Sequence, residues 1–266
     1  MNLYKYVGFD ACERIFENMT MAFSTPEFFN DPFECSTLLT PPDDEPLLVE
    51  VLLGPVRRWA KTHIVKNNYA ILSLTRAPLN PLMWSHYANC HRGFVVEIDP
   101  RKCGLTSLDT NTIPAQFGSV IYSMTKPPAS VLGDFGPGFN LGGTAQFQCD
   151  NLEKLQRYFL HKPLCWSYEE EVRVVKCISG DDFQTKSGIL DCITGGAKPL
   201  YRIKIPIDGI RSIYLGLRNP LLESHADFEK FLMKIRVVCP DIAVLTCRID
   251  DVSWNLIADV VDATPS

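Results

Sequence analysis

The chain has 266 residues, 46% of them hydrophobic and 21% charged, with a net charge of -5, the balance of an ordinary soluble globular protein. That acidic total argues against a broad basic surface for nucleic acid, and no run approaches the roughly 20 apolar residues needed to cross a bilayer. Ten cysteines show no Cys-x-x-Cys spacing and the N-terminus lacks a signal-peptide pattern, so buried thiols in a reducing cytoplasm are expected in place of zinc ligands, disulfides or a membrane partner.

In chain order, Leu3 to Val7 reads as a short aromatic strand, Ala11 to Met19 as a helix and Met21 to Ser24 as a second strand. Phe28 to Glu34 contains Asn30-Asp31-Pro32, a turn former whose side chains bond nearby backbone. It is either a capped loop or a cleft rim presenting Asn30, Asp31 and Glu34. Residues 40 to 48 read as a surface loop, and 46 to 67 as a helix broken or kinked at Gly54-Pro55. Tyr69 to Thr75 is a strand whose hydroxyls, Ser73 and Thr75, share a face. Pro81 to Ala88 is a helix with an early proline. Trp84, Tyr87 and Ala88 have core spacing, and His86 and His91 flank a turn at Asn89-Cys90.

Phe94 to Ile98 and Ser119 to Ser123 are further strands, separated by the Pro- and Gly-rich loop at 126 to 145 from a helix over Asn151 to His161. Strands at Leu200 to Pro206, Ile210 to Gly216 and Ala243 to Ile249, with a helix over Leu222 to Val237, complete the chain. No linker composition or internal repeat divides it. A single α+β domain over 1–266 is expected, with mixed and antiparallel sheets and peripheral helices.

The segment Trp166 to Val175 carries the most chemistry. Read as a turn entering a strand, it puts Glu169, Glu171 and Arg173 on one face and Trp166, Tyr168, Glu170, Val172 and Val174 on the other. Two carboxylates and a guanidinium are costly to bury unless paired. The face is therefore either the solvated side of an edge strand or a surface that holds something polar.

The order of motifs resembles a bacterial family catalogued as domain of unknown function 2971. The residues that carry it are Leu-Tyr-Lys-Tyr at the start, Asn-Asp-Pro-Phe-Glu, Leu-Ser-Leu-Thr, Met-Trp-Ser-His-Tyr-Ala with a following His-x-Gly, and Trp-x-Tyr-Glu-x-Glu-x-Arg. The resemblance runs nearly the length of the chain and brings little established biochemistry.

A more distant resemblance is to the ADP-ribosyltransferases, which set three motif groups on separate strands around NAD. The matching positions are Lys5 after Tyr4, Ser73 and Thr75, and Glu169 and Glu171 before Val172. Lys5 stands where that family carries Arg or His, a point charge in place of a fork. The resemblance implies a split sheet around a cleft and NAD as substrate, with Glu171 bonding the ribose 2′-hydroxyl, Ser73 holding Glu171, and Glu169 orienting or deprotonating the nucleophile. Arg173 keeps the acid pair ionised. Tyr4, Lys5, Thr75, Asn30, Asp31, Trp84, His86, Tyr87 and His91 complete the expected cofactor surroundings, with Trp84 or Tyr87 as a nicotinamide platform. The acceptor is left open among protein, nucleic acid, small molecule and water, and the implied setting is a bacterial toxin or phage-defence effector. Two other classes stand beside this one. One is a non-catalytic nucleotide- or protein-binding module. The other is a metal-dependent nuclease holding Mg²⁺ on Asp31, Glu34, Glu169 and Glu171.

Overall fold

Two apolar, β-branched runs, β3 (Tyr69–Thr75) and β7 (Glu171–Cys177), form the ladder on which the rest is built. They pair antiparallel over seven positions, from Tyr69 opposite Cys177 to Thr75 opposite Glu171. The computed structural model describes residues 2–31, 33–35, 68–127, 145–180, 183–196 and 198–261. The expected loop at 40–48, the helix at 46–67 and all but the ends of the loop at 126–145 lie outside the described residues.

The remaining strands are β1 (Leu3–Val7), β2 (Thr20–Ser24), β4 (Phe94–Ile98), β5 (Ile121–Ser123), β6 (His161–Pro163), β8 (Asp191–Ile193), β9 (Leu200–Lys204), β10 (Ile210–Leu215), β11 (Ala243–Ile249) and β12 (Leu256–Val260). One ten-stranded sheet runs β12-β11-β10-β4-β1-β3-β2-β9-β8, with β7 on the other edge of β3, and β5 and β6 form a separate parallel pair. Among the described residues, only β10 and β11 pair parallel within the large sheet. With helices α1 (Phe9–Asn18), α2 (Pro81–Tyr87), α3 (Leu152–Phe159), α4 (Phe183–Ser187) and α5 (His225–Val238), the architecture is α+β with a mostly antiparallel open sheet.

The sheet opens at one place. Along the edge of β3 opposite β7, β1 pairs only at Tyr4–Thr75 and β2 only at Ser24–Ile71. Between these two contacts lies Ser73, the one residue of β3 that is not buried. The Lys5 ammonium reaches into the gap and donates to the Ser73 carbonyl at 2.8 Å. A carbonyl without a ladder partner is thus satisfied by a side chain, as buried backbone requires.

Period-two alternation divides β3 and β7 between two faces. Leu72, Leu74, Val172 and Val174 join Phe16, Phe94, Phe231 and Leu232 in the main core beneath α1 and α5. The opposite face carries two smaller clusters, one around Tyr69, Phe159 and Val175 and the other around Tyr6, Met83 and Trp84. The site lies on this second face.

Two expectations are corrected here. Trp166 to Val175 is a turn entering a strand, but strand alternation does not reach back to Trp166: Leu164–Glu169 is a 3-10 turn, Glu170 is left-handed at φ 45°, and β7 begins at Glu171. Nor is β7 a solvated edge, since all seven of its residues are buried. Its outer side is covered by the segment from Ile113 to Val120, with Arg173 N–H donating to the Gly118 carbonyl at 2.8 Å and Val120 N–H to the Glu171 carbonyl at 3.0 Å.

The covering segment approaches too closely for a side chain. A Cβ on Gly118 would lie 1.9 Å from the Arg173 carbonyl oxygen. Gly118→Ala is therefore expected to destabilise the fold by about 2 kcal/mol or more, in the upper part of the overpacking range. Urea denaturation measures this, and a loss below about 0.5 kcal/mol, the scale of a neutral surface change, would contradict the close approach.

Candidate functional site

Glu171 opens β7 opposite Thr75, and the left-handed Glu170 folds the preceding turn back so that Glu169 returns to the same side. Thr75 Oγ1 donates to the Glu169 carbonyl at 2.5 Å, and Arg76 N–H donates to the Glu170 carbonyl at 3.3 Å. Asn80 caps α2 by accepting from Leu82 N–H at 2.9 Å, and its amide donates to the Tyr168 carbonyl at 2.9 Å. This ties α2 to the turn and sets the Tyr87 hydroxyl 2.6 Å from Glu169 Oε1, to which it donates. On the opposite side, the Tyr122 hydroxyl of β5 accepts from Glu171 N–H at 2.9 Å.

The carboxylates meet two cations. Lys162, the central residue of β6, donates to Glu169 Oε2 at 2.5 Å and Glu171 Oε2 at 3.2 Å, and lies 3.1 Å from Glu34 Oε1. Arg173 donates from Nε to Glu171 Oε1 at 2.8 Å, from Nη1 to the Phe159 carbonyl at 2.7 Å, and from Nη2 to Glu34. Arg173 is fully buried. The Ser73 hydroxyl completes the set, favouring the charged form of Glu171.

Environment separates the two acids. Burial pushes Glu171 up, but Arg173, Lys162 and the Ser73 hydrogen bond together outweigh it and hold the carboxyl at about 2. For Glu169 burial prevails over the bonds from Lys162 and Tyr87, the charge of Glu171 adds to it, and the carboxyl is raised. Burial lowers Lys5 to about 8, with Lys198 adding to the effect and Glu171 opposing it. A pair of carboxyls pushed in opposite directions is the arrangement that lets one stay ionised while the other exchanges a proton.

A cavity of about 230 Å³ opens over this group. Of the residues expected at a site, Tyr4, Lys5, Asn30, Ser73, Thr75, Tyr87, Glu169 and Glu171 line it. Asp31 lines an adjoining cavity instead, and Arg173 stands behind Glu171 as a buttress. Three residues expected near the cofactor do not line the cavity. Trp84 is fully buried, edge-on to Tyr6, with its indole N–H donating to the Pro78 carbonyl at 3.0 Å. His91 stacks on Trp84 within a left-handed run of Asn89, Cys90 and His91, and burial and Arg218 lower its pKa. His86 is exposed and packs on Tyr87 and Trp166 outside the cavity. The His-x-Gly pattern has a scaffold explanation, because a Cβ on Gly93 would lie 2.2 Å from the Val7 carbonyl oxygen.

Lys162, Tyr122, Phe29 and Lys198 are the residues that sequence reasoning missed. Lys162 lies in His161-Lys162-Pro163, too short for any periodicity to reveal its direction. Glu34, which the nuclease reading used as a metal ligand, does belong to the group. The donor set does not fit a divalent ion, however, because the three carboxylates already surround two fixed cations. Among the described residues no group of three or more His, Cys, Asp or Glu is arranged for a metal.

Residues 83–174 match the model of a family described as a protein of unknown function (DUF2971). The matched stretch, from α2 into β7, is shorter than the near-complete resemblance expected. It includes Tyr87, Lys162, Glu169, Glu171 and Arg173, but not Lys5 or Ser73. No curated protein and no solved structure matches the chain.

Lys162 is 4% exposed at its side chain, so removing it leaves Glu169 without a cation and Glu34 and Glu171 with Arg173 alone. Lys162→Met is expected to cost about 3–5 kcal/mol, as for other broken buried pairs. Lys162→Met/Glu169→Gln should recover about 1 kcal/mol or more of that loss through coupling. Urea denaturation of both variants provides the check, and strictly additive effects would show that the two groups do not interact.

Proposed function

We propose that the cavity binds NAD and cleaves its nicotinamide–ribose bond, as in ADP-ribosyltransferases or, with water as acceptor, an NAD glycohydrolase. The observation that carries this reading is the pair of buried carboxyls displaced in opposite directions at one cavity, which Ser73 also lines. When the C1′–N bond breaks, its electron pair leaves with nicotinamide and positive charge builds on the ribose ring. An ionised Glu171 facing the 2′-hydroxyl stabilises that charge most strongly in the transition state. Glu169 accepts the proton of the incoming nucleophile, and its raised pKa makes it the stronger base of the two.

Lys5, at the split between β1 and β2, supplies a cation for a ribose hydroxyl or phosphate. Tyr87 and Phe29 replace Trp84 as ring surfaces for nicotinamide, since both line the cavity. At about 230 Å³ the space is below the range of roughly 300–1,000 Å³ typical of complete small-molecule sites. It suits the reacting end of the dinucleotide, with the remainder extending beyond it. A toxin or defence effector is the biological setting we attach to this chemistry.

A second reading has a specific observation in its favour. Both Glu171 oxygens already receive bonds from Arg173, and one also from Lys162. A ribose hydroxyl must share or displace one of these, whereas a non-catalytic nucleotide-binding module needs no such exchange.

Incubation with NAD, with free nicotinamide followed by chromatography, distinguishes the two. Wild-type protein is expected to release nicotinamide and Glu171→Gln to do so about 100-fold more slowly or worse, the scale of losing one preorganised electrostatic group. A thermal shift with NAD but no release would favour the binding module. Neither shift nor release would contradict both.

A further inference from the structure

A second cavity of about 520 Å³ adjoins the first and shares Asn30 and Lys162 with it. Neither Glu169, Glu171 nor Ser73 lines it. Its volume lies within the range of roughly 300–1,000 Å³ of small-molecule sites. Phe33, Met124, Pro127 and Trp166 supply apolar walls, and Phe33 and Met124 are 61% and 84% exposed.

Two polar atoms in this cavity are anomalous. Asp31 Oδ2 and His161 Nδ1 are buried without a hydrogen-bond partner among the described residues, and both residues line the space. The other Asp31 oxygen is already committed, accepting from Phe33 N–H at 2.8 Å. Unsatisfied buried polar atoms are scarce in folded proteins, and two at one cavity mark where ligand atoms belong. Burial and the nearby Arg157 lower the His161 pKa, which keeps the ring neutral at pH 7.

The lining also limits what the ligand can be. Lys126 and Lys162 oppose a cationic ligand, and Asp31 opposes an anion at its own position. Apolar walls with an acceptor and a neutral imidazole fit a flat, uncharged heteroaromatic ring with N–H donors on its edge. We propose that this cavity is a subsite for an amino-bearing nucleobase, with its exocyclic amine donating to Asp31 and a second edge atom meeting His161. The base belongs either to the far end of the dinucleotide or to a separate acceptor. The subsite itself does not depend on NAD cleavage.

Calorimetric titration with AMP and with purine riboside 5′-monophosphate, which lacks the exocyclic amine, tests it. AMP is expected to bind saturably, and the amine-free analogue about 10-fold more weakly, the scale of one hydrogen bond. Asp31→Asn retains the bond to Phe33 N–H and should weaken AMP about 10-fold at an unchanged melting temperature, and His161→Ala serves as a second variant with the same expected direction. Competition of AMP by NAD but not by nicotinamide mononucleotide assigns the base to the dinucleotide, while AMP binding alongside NAD assigns it to an acceptor. No binding of AMP, equal affinity for the two monophosphates, or no effect of either variant would overturn the proposal. AMP carries no nicotinamide, so such a failure leaves the release assay independent.

Discussion

Two cations and three carboxylates, shut away from water on one face of a sheet, are the constraint on which this site depends. Removing Lys162, Arg173, Glu34, Glu169 and Glu171 from water carries a desolvation cost of several kcal/mol per ion, which only close geometry and further hydrogen bonds offset. The structure provides both. Arg173 is bonded through all three of its nitrogens, and Lys162 lies within 3.2 Å of all three carboxylates. The group carries one more negative than positive charge when every member is ionised. Glu169, whose pKa is raised, is where that excess is most readily neutralised.

The fold is arranged to hold this group. β7 is clamped between β3 and the segment that ends at Val120, and that segment continues into β5 and Tyr122. β5 in turn pairs with β6 and so places Lys162. Across the gap, the incomplete pairing of β1 and β2 with β3 leaves Ser73 accessible and brings Lys5 to its carbonyl. A fully paired sheet would have used the Ser73 carbonyl in a ladder and closed the cavity.

Much of this was legible in the sequence, though not always by the right route. The alternation argument put Glu169, Glu171 and Arg173 together, and they are together, but only Glu171 and Arg173 are related by a strand. Glu169 returns through the left-handed Glu170, a conformation no periodicity announces. Ser73 and Thr75 were correctly placed on one face of β3. On α2, helical spacing grouped Trp84 with Tyr87 without revealing that the first is sealed in a core while the second reaches Glu169. Lys162 was invisible because its role comes from tertiary contact across a short turn. The motif histidines lie outside the first cavity, His91 stacked on Trp84 and His86 packed on Tyr87 and Trp166.

The central claim is that one network displaces the pKa values of two neighbouring carboxyls in opposite directions. The direct test is a ¹³C NMR titration of glutamate-labelled protein, with Glu169→Gln and Glu171→Gln used to assign the two resonances. The account predicts that Glu171 titrates near 2 and Glu169 above the ordinary carboxyl value of 4.5. Two resonances titrating together in the ordinary range would contradict it.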